Sequence, residues 1–359
     1  MRWQARWLSE EPTTLPGRAA RSPLTLLSWL YGGATRLHGA LYRRGLLRRA
    51  RISCRVVSIG SPVAGGSGKT PTAAFVASRL HERGQKAVLA SRGYGRTGKS
   101  ARNAVTVVSD GRRVRGRLSE AGDEPALLVG LSPGVPVLVG ADRSVVGLRA
   151  VSAFGADVLV LDDGMQHHRL ARDVEIVTLD GREGLGNGRV LPRGPLREPL
   201  SSLRRADAVI VVDGPLSDRD EARLQKYAPG AHRAVARREP RVLRSHRTGA
   251  RIPLDTLRGR RVGLLCGIAR PGTLRRTVEA LGAQVVAERT FPDHHPYRPA
   301  DVQALDPGPE SWITTEKDAV KILPGWLDPD RDVRVLGIRL AMDDADAFFD
   351  WLSGRLGRR

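Results

Sequence analysis

The chain has 359 residues, of which 41% are hydrophobic, so it can bury one large core or two ordinary ones and is not disordered throughout. The formal net charge of +21 indicates a polyanionic partner, such as an anionic lipid surface, a phosphorylated substrate or nucleic acid, although arginines scattered along the sequence also fit a bias in composition. Nucleic acid is disfavoured as the partner because only 4% of residues are aromatic and basic and aromatic residues do not alternate. No apolar run in the sequence is long enough to span a membrane.

The beginning of the chain is basic. Residues 1–22 show no hydrophobic period and are predicted to be a mobile leader. From Leu24 to Arg44, apolar residues recur at spacings of three and four, which predicts an amphipathic helix within residues 23–50. Up to Arg55, eleven arginines against two glutamates give a net charge of +9. Such a helix can lie on an anionic bilayer; the alternative is that it packs on its own domain, and two glycines in its middle weaken it as a free helix.

The stretch from Arg55 to Gly84 is typical of a buried strand, a glycine-rich loop and a helix. Glycines leave room for backbone N–H groups to surround a polyphosphate, Lys69 adds a mobile cation, and Thr70 offers a hydroxyl to Mg²⁺ at the start of the helix. Val63 stands where the usual phosphate-loop pattern has glycine, so an ordinary tight turn is the alternative. The predicted nucleotide-binding residues are Gly65, Gly66, Ser67, Gly68, Lys69 and Thr70.

A second short strand ends in two carboxylates. Residues 158–161 form a continuous apolar run, and Asp162 and Asp163 follow directly. Because the carboxyl ends of parallel strands lie along one edge of a sheet, these side chains are expected beside the phosphate loop, where they would hold Mg²⁺ or its water. The alternative is a capped turn, since Asp-Asp-Gly is also good turn chemistry.

The other segments alternate between strand-like and helix-like patterns, which predicts an α/β fold with a larger domain over 51–227 and a smaller one over 228–342. The Gly- and Pro-rich stretch 184–198 is too long for a simple connection and is predicted to be a functional loop. Residues 343–359 are predicted to form a last helix. Strands are predicted near 86–91, 105–108, 136–139, 173–179, 208–212, 261–266, 283–288 and 312–315, and helices at 143–154 and 272–281.

Eight short motifs, in order along the chain, resemble those of the tetraacyldisaccharide 4'-kinases of lipid A biosynthesis, whose phosphate loop also lacks the first glycine. They are GGSGKTP (65–71), SRGYGR (91–96), GDEP (122–125), DDGMQHH (162–168), NGRVLPRGPLRE (187–198), GIARP (267–271), FPDHHPY (291–297) and TTEKDAVK (314–321). The resemblance implies a P-loop NTPase-like α/β/α domain with a second, smaller α/β domain and an N-terminal amphipathic helix, and ATP bound in the cleft.

The activity that the resemblance implies is transfer of the γ-phosphoryl group of ATP to the 4'-hydroxyl of a tetraacylated glucosamine disaccharide 1-phosphate, which gives the bis-phosphorylated precursor lipid IVA. The implied cofactors are ATP and Mg²⁺. The implied partners are the acylated disaccharide lipid and an anionic membrane surface, without nucleic acid, and the implied location is peripheral, at the cytoplasmic face of the inner membrane. The oligomeric state is not predicted.

The resemblance also implies roles for residues within the motifs. It places the catalytic aspartate in GDEP, so Asp123 is the candidate base for the sugar hydroxyl; a helix N-cap is the alternative. His294 or His295 is expected to pair with this aspartate, with His294 favoured. Lys69 is the third catalytic candidate. The remaining candidates are Arg92, Arg96 and Arg197 for phosphate groups, with surface ion pairing as their alternative, and Thr70, Asp162, Asp163 and Glu198 for Mg²⁺.

Two other classes of protein remain as alternatives. A soluble phosphate-loop kinase or ligase that acts on a small molecule would use the basic arm only for solubility and should not follow membranes. A nucleic-acid-binding switch ATPase would use the +21 charge, and its affinity for DNA would fall steeply with salt. The FPDHHPY motif counts against the second class.

Overall fold

The computed structural model describes residues 22–93, 105–115 and 121–357. The predicted mobile leader lies outside these residues except for its last position, and so does Arg96. The helices are α1 Ser22–Arg43, α2 Lys69–Glu82, α3 Asp123–Leu131, α4 Arg143–Phe154, α5 Asp218–Tyr227, α6 Pro271–Ala280, α7 Pro299–Gln303, α8 Glu316–Ala319 and α9 Ala345–Gly357. The strands are β1 Arg55–Gly60, β2 Ala87–Ser91, β3 Thr106–Asp110, β4 Pro136–Val139, β5 Val158–Leu161, β6 Val174–Asp180, β7 Ala208–Val212, β8 His232–Ser245, β9 Arg251–Ile252, β10 Arg261–Cys266, β11 Gln284–Thr290, β12 Ser311–Thr315 and β13 Val333–Met342.

All strands of the described residues belong to one sheet, with the order β11-β10-β12-β13-β8-β7-β6-β1-β5-β2-β4-β3 and with β9 beside β8. Neighbouring strands are parallel except in three pairs, β3 with β4, β8 with β13 and β8 with β9. β1 lies between β5 and β6 and is parallel to both. The loop after β1 and the carboxylates after β5 therefore lie at the same edge of the sheet, as the sequence predicted.

The central strand β1 is covered by helices on both faces. Val57 and Ile59 pack with α2 residues such as Val76 on one face, whereas Val56 packs with Val146 of α4 on the other. Successive side chains of a strand point to opposite faces, so its continuous apolar run needs a helix layer on each side. The last helix, α9, packs on the α2 face through Phe348, Phe349, Leu352 and Leu356. This half is a three-layer α/β/α unit, and the predicted fold class is confirmed.

Two long strands join this unit to the second half of the molecule. β8 pairs in parallel with β7 from His232 to Ala236, and then in antiparallel with β13 from Ala236 to Ser245. Beyond β13, the strands β12, β10 and β11 and the helix α6 surround a second core. Neither β8 nor β13 was expected from the sequence, because charged residues break the apolar pattern in both, and α5 was not expected either.

The first helix, α1, packs on the molecule through small residues. Ser28, Gly32 and Gly39 are buried, and the Ser28 hydroxyl donates to the carbonyl of Val190 at 2.8 Å. A Cβ atom on Gly32 would lie 3.2 Å from the Val190 side chain, so this glycine allows the close approach. The large apolar side chains point the other way and are exposed: Leu26, Leu27, Trp29, Leu30 and Leu37. Within the part of the chain that the structure describes, no helix is both long and apolar enough to cross a membrane.

Candidate active site

The phosphate loop connects β1 to α2 and has the backbone geometry that its glycines allow. Gly65 and Gly68 adopt φ angles of +79° and +83°, which residues with a Cβ rarely reach. Val63, which replaces the expected glycine, is buried and forms an isolated β-bridge with Leu196. The loop is therefore anchored to the segment 184–198, and a valine at position 63 fits this contact. Lys69 opens α2, and its Nζ lies 3.4 Å from Ser67 Oγ and 3.9 Å from Asp163 Oδ1.

The two carboxylates after β5 lie beside this loop, in different environments. Asp162 is fully buried, accepts a hydrogen bond from Thr70 Oγ1 at 3.1 Å, and its burial raises its pKa to about 7. Asp163 accepts both arms of the Arg197 guanidinium, at 2.7 Å and 2.9 Å. Burial alone would raise the pKa of Asp163, but the hydrogen bonds from Arg197 and the charge of Lys69 outweigh it and hold this pKa below its ordinary value.

Three of the four predicted magnesium ligands fit a divalent cation. Asp162 Oδ1 is buried and has no hydrogen-bond partner among the described residues, so a cation would satisfy it. Within the described part of the chain, no cluster of three or more His, Cys, Asp and Glu side chains is suited to a metal ion. A site made of Thr70, Asp162 and Asp163 together with nucleotide phosphates agrees with this, because Mg²⁺ is commonly bound by one or two carboxylates, substrate phosphates and water.

Glu198, the fourth predicted ligand, does not join this group in the structure. Its carboxylate is buried and ion-paired with Arg205, at 2.8 Å. It lines a different cavity, of about 310 Å³, beneath α1 beside His38 and His168. Glu198 was predicted as an Mg²⁺ ligand within its motif, but Arg197 turns to Asp163 whereas Glu198 turns to Arg205.

A cavity of about 470 Å³ lies between the two halves of the molecule, next to the phosphate loop. Arg92 and Arg197, two of the predicted phosphate-binding arginines, line it. The opposite wall comes from the second half and mixes polar and charged side chains, among them Arg270 and His294, with apolar ones. The apolar members are Ile268, Ala269, Leu274, Leu336 and Ile338. The dimensions suit a small-molecule site.

Asp123 and His294 meet beside this cavity, which His294 lines. His294 Nδ1 lies 2.9 Å from Asp123 Oδ2, although the two residues come from different halves of the molecule. Asp123 is the first residue of α3, and the N-cap is Gly122, so the alternative of an N-cap aspartate is not supported. His295 instead contacts Asp301, at 3.0 Å.

The contact between Asp123 and His294 shifts both of their pKa values. Burial raises the pKa of Asp123, but the hydrogen bond from His294 and the charges of Lys317 and Lys321 outweigh it, so the pKa lies below its ordinary value. The same hydrogen bond raises the pKa of His294. The structure thus favours an ionised carboxylate facing a cationic cluster.

Several side chains at the site were not assigned from the sequence. Glu124, next to Asp123, lines the cavity, and burial raises its pKa. Arg270 pairs with Asp180 at 2.7 Å and lies against the phosphate loop, and Arg238 pairs with the same aspartate at 2.9 Å. Glu124 and Arg270 belong to two of the eight motifs, so the motifs carried a signal for them, whereas Arg238 lies on β8, which was not predicted.

Comparison with known proteins agrees with this site. Residues 20–357 match the family described as Tetraacyldisaccharide-1-P 4'-kinase. The chain belongs to this family. The tetraacyldisaccharide 4'-kinase of Anaeromyxobacter sp. (strain K) is 45% identical over 328 residues, which cover 89% of this chain and 85% of that relative. The tetraacyldisaccharide 4'-kinase of Syntrophus aciditrophicus (strain SB) is 41% identical over 345 residues, which cover 90% of each.

A solved structure has the same fold. LpxK from Aquifex aeolicus, crystallised in complex with ATP, is 30% identical in sequence, has a TM-score of 0.73, and is matched over 94% of this chain and 99% of that one. Membership of the tetraacyldisaccharide-1-P 4'-kinase family confirms the resemblance read from the eight motifs, and with it the enzyme class, a kinase. The interpretation as a tetraacyldisaccharide 4'-kinase is therefore favoured over a small-molecule kinase or ligase and over a nucleic-acid-binding ATPase.

Proposed function

We propose that this chain transfers the γ-phosphoryl group of ATP to the 4'-hydroxyl of a tetraacylated glucosamine disaccharide 1-phosphate, with lipid IVA and ADP as products. The observation that carries this proposal is the contact between Asp123 and His294 beside the cavity that the phosphate loop lines. A sugar hydroxyl is a poor nucleophile near neutral pH, so a positioned carboxylate beside the polyphosphate site supplies what this reaction needs.

In the proposed step, Asp123 accepts the proton of the 4'-hydroxyl as its oxygen bonds to the γ-phosphorus, and the bond from that phosphorus to the β,γ-bridging oxygen breaks. His294 orients Asp123 from the other half of the molecule. Lys69 and the backbone of the phosphate loop hold the polyphosphate, and Arg92 and Arg197 neutralise charge on the transferred group. Arg92 is one of the two predicted phosphate-binding arginines of the SRGYGR motif. The other, Arg96, lies outside the described residues and stays a prediction from the motif.

The residues Thr70, Asp162 and Asp163 would hold Mg²⁺. When bound, it would supply positive charge to the phosphate oxygens of ATP. Binding of a divalent cation also explains why a fully buried carboxylate such as Asp162 is kept without a hydrogen bond on one oxygen.

We also propose that α1 holds the enzyme on the cytoplasmic face of the inner membrane as a peripheral protein. An acylated disaccharide stays in the bilayer while ATP stays in water, so the enzyme must act at the boundary. The exposed apolar face of α1, with Trp29 67% and Leu30 64% exposed, and the basic residues at its end suit an anionic lipid surface.

The experiment that tests the reaction is incubation of the purified protein with MgATP and the monophosphorylated lipid disaccharide in detergent micelles, followed by mass measurement. We expect one added phosphate, located at the 4'-position by fragmentation, and almost none with Lys69→Ala. Equal phosphorylation of a deacylated, water-soluble disaccharide would favour the small-molecule kinase instead. Sedimentation with anionic vesicles, in the presence and absence of detergent, tests the membrane proposal separately.

A further inference from the structure

Two lysines from the second half of the molecule face the proposed base. Lys317 lies in α8, and Lys321 lies in the turn that follows this short helix. Their Nζ atoms lie 3.9 Å and 3.7 Å from Asp123 Oδ2. His294 contacts the same carboxylate, so three cationic side chains of the second half surround one carboxylate of the first.

Lys321 is held in place by groups that have no other evident task at the site. Its Nζ lies 3.1 Å from Asp318 Oδ1 and 5.3 Å from the centroid of the Tyr297 ring. Asp318 is fully buried, and its other oxygen accepts hydrogen bonds from the Gly267 amide at 3.1 Å and the Thr315 hydroxyl at 2.8 Å. Asp318 and the Tyr297 ring therefore flank an ammonium that lies 3.7 Å from Asp123 Oδ2.

Lys317 has a different environment. Its Nζ pairs with Asp293 at 2.8 Å, and its side chain lines the cavity next to the phosphate loop. Lys321 is not among the described residues that line this cavity. A change at Lys317 would therefore disturb nucleotide and substrate as well as Asp123, whereas a change at Lys321 acts on Asp123 and on its other partner, the buried Asp318.

We propose that Lys321 is a positioning residue that, together with His294, keeps Asp123 ionised and aimed at the substrate hydroxyl. This inference rests on the proposed role of Asp123 as the base. The last lysine of the TTEKDAVK motif would then contribute to the reaction although it does not line the cavity.

The effect of Lys321 on pH dependence follows from all the charges around Asp123. Glu124 lies on the same helix, Asp293 and His294 come from the segment after β11, and Asp318 and Lys317 come from α8. Lys69 of α2 and Asp163 face the cavity close to Glu124. Removal of Lys321 leaves this set with one cation fewer beside Asp123, so the carboxyl protonates at a higher pH and the base is lost earlier as the solution is acidified.

The test compares Lys321→Met, Lys321→Gln and Lys321→Arg with the intact enzyme over a range of pH. We expect Lys321→Met to lower kcat about tenfold even at neutral pH, because Asp123 is no longer held in position, with the KM for ATP changed less than about twofold, and to move the acid limb of kcat/KM up by about one pH unit. Lys321→Arg should restore most of the rate. Lys321→Gln keeps a polar side chain of similar length and should behave like Lys321→Met, so the result does not depend on one variant that fails to fold.

The matched control is Lys226→Met. Lys226 Nζ also lies over a tyrosine ring, 5.6 Å from the centroid of Tyr227, but on the exposed face of α5. The pH profile of the Lys226→Met variant should be that of the intact enzyme. If Lys321→Met and Lys321→Gln also have the profile of the intact enzyme while Asp123→Asn is inactive, the inference is wrong and the base assignment stands. If Asp123→Asn keeps its activity, the base assignment itself fails.

Discussion

Arg270, from the second half of the molecule, lies against Gly66 of the phosphate loop. A Cβ atom on Gly66 would fall 3.0 Å from Arg270 Cδ. Asp180, at the end of β6, fixes the guanidinium in this position at 2.7 Å. The glycine at this position thus serves two purposes, since it opens the backbone to phosphate and admits an arginine from the other half of the cleft.

The first prediction concerns Gly66→Ala. The added methyl group would displace the Arg270 side chain and narrow the approach to the loop, so we expect the KM for ATP to rise about tenfold with little change in melting temperature. Isothermal titration with MgATP and steady-state kinetics measure this. The control is Gly33→Ala, because a Cβ atom on Gly33 would meet nothing within 4 Å. Wild-type ATP affinity in Gly66→Ala would contradict the contact.

Much of the first half could be predicted from the sequence because its elements have local signals. β1, the phosphate loop and α2 follow each other without interruption, and the apolar run of β5 leads directly to Asp162 and Asp163. Parallel strands in a covered sheet are continuous apolar runs, and such runs are easy to recognise. The shared sheet edge then follows from topology alone.

The remaining features depend on contacts between distant parts of the chain. The FPDHHPY motif made both His294 and His295 candidates to pair with Asp123. The fold shows that His294 contacts Asp123, whereas His295 contacts Asp301. The direction of Glu198 likewise depends on Arg205, and the sequence does not reveal which arginine it meets. β8 was missed because its pairing partners, β7 and β13, supply the order that its mixed sequence lacks.

The second prediction concerns the pH dependence of stability in His294→Gln. The hydrogen bond with Asp123 raises the pKa of His294, so its contribution to stability is fully present below about pH 6.5 and is lost as the pH rises through the raised pKa. The pKa of Asp123 is lowered, so its own contribution persists until the pH falls below the ordinary range of a carboxyl. The loss of melting temperature should be largest at about pH 6 and small by about pH 9.

Thermal unfolding followed by circular dichroism at both pH values measures this difference. His232→Gln is a suitable control because the ring of His232 stacks on Trp351, with centroids 4.7 Å apart. Its effect on the melting temperature should be alike at both pH values. If the loss of melting temperature in His294→Gln were also the same at both pH values, no ion pair with Asp123 would form in solution.

The third prediction concerns Arg197→Lys. The guanidinium holds both oxygens of Asp163 and also donates to the Ser61 carbonyl at 2.8 Å, and a lysine ammonium cannot reproduce this planar fork. We expect kcat to fall about tenfold to a hundredfold, because Asp163 loses its orientation and the transferred phosphate loses a cation. Steady-state kinetics with both substrates measure this, and Arg219→Lys on α5 is the control. A rate within about twofold of the intact enzyme would exclude a bidentate role.

The fourth prediction concerns membrane binding by α1. Because Trp29 and Leu30 are exposed on a helix whose small residues face the protein, replacing both with serine should weaken binding to anionic vesicles without disturbing the fold. Burial of each large apolar side chain contributes roughly 1.5–3 kcal/mol, so the double variant should bind at least about tenfold more weakly. Vesicle sedimentation and the KM for the lipid substrate measure this effect.

The control for α1 is a pair of exposed apolar residues elsewhere. Val145 and Leu148 on α4 are 45% and 58% exposed, and their double replacement by serine removes exposed apolar surface, although less than at Trp29 and Leu30. We expect this control to bind vesicles like the intact enzyme and to keep its KM for the lipid, because α4 has no basic residue in its last turn, whereas α1 has Arg43 there. If both double variants lost binding equally, general surface hydrophobicity would explain the attachment. If neither lost binding, α1 would not be the part that holds the enzyme at the membrane.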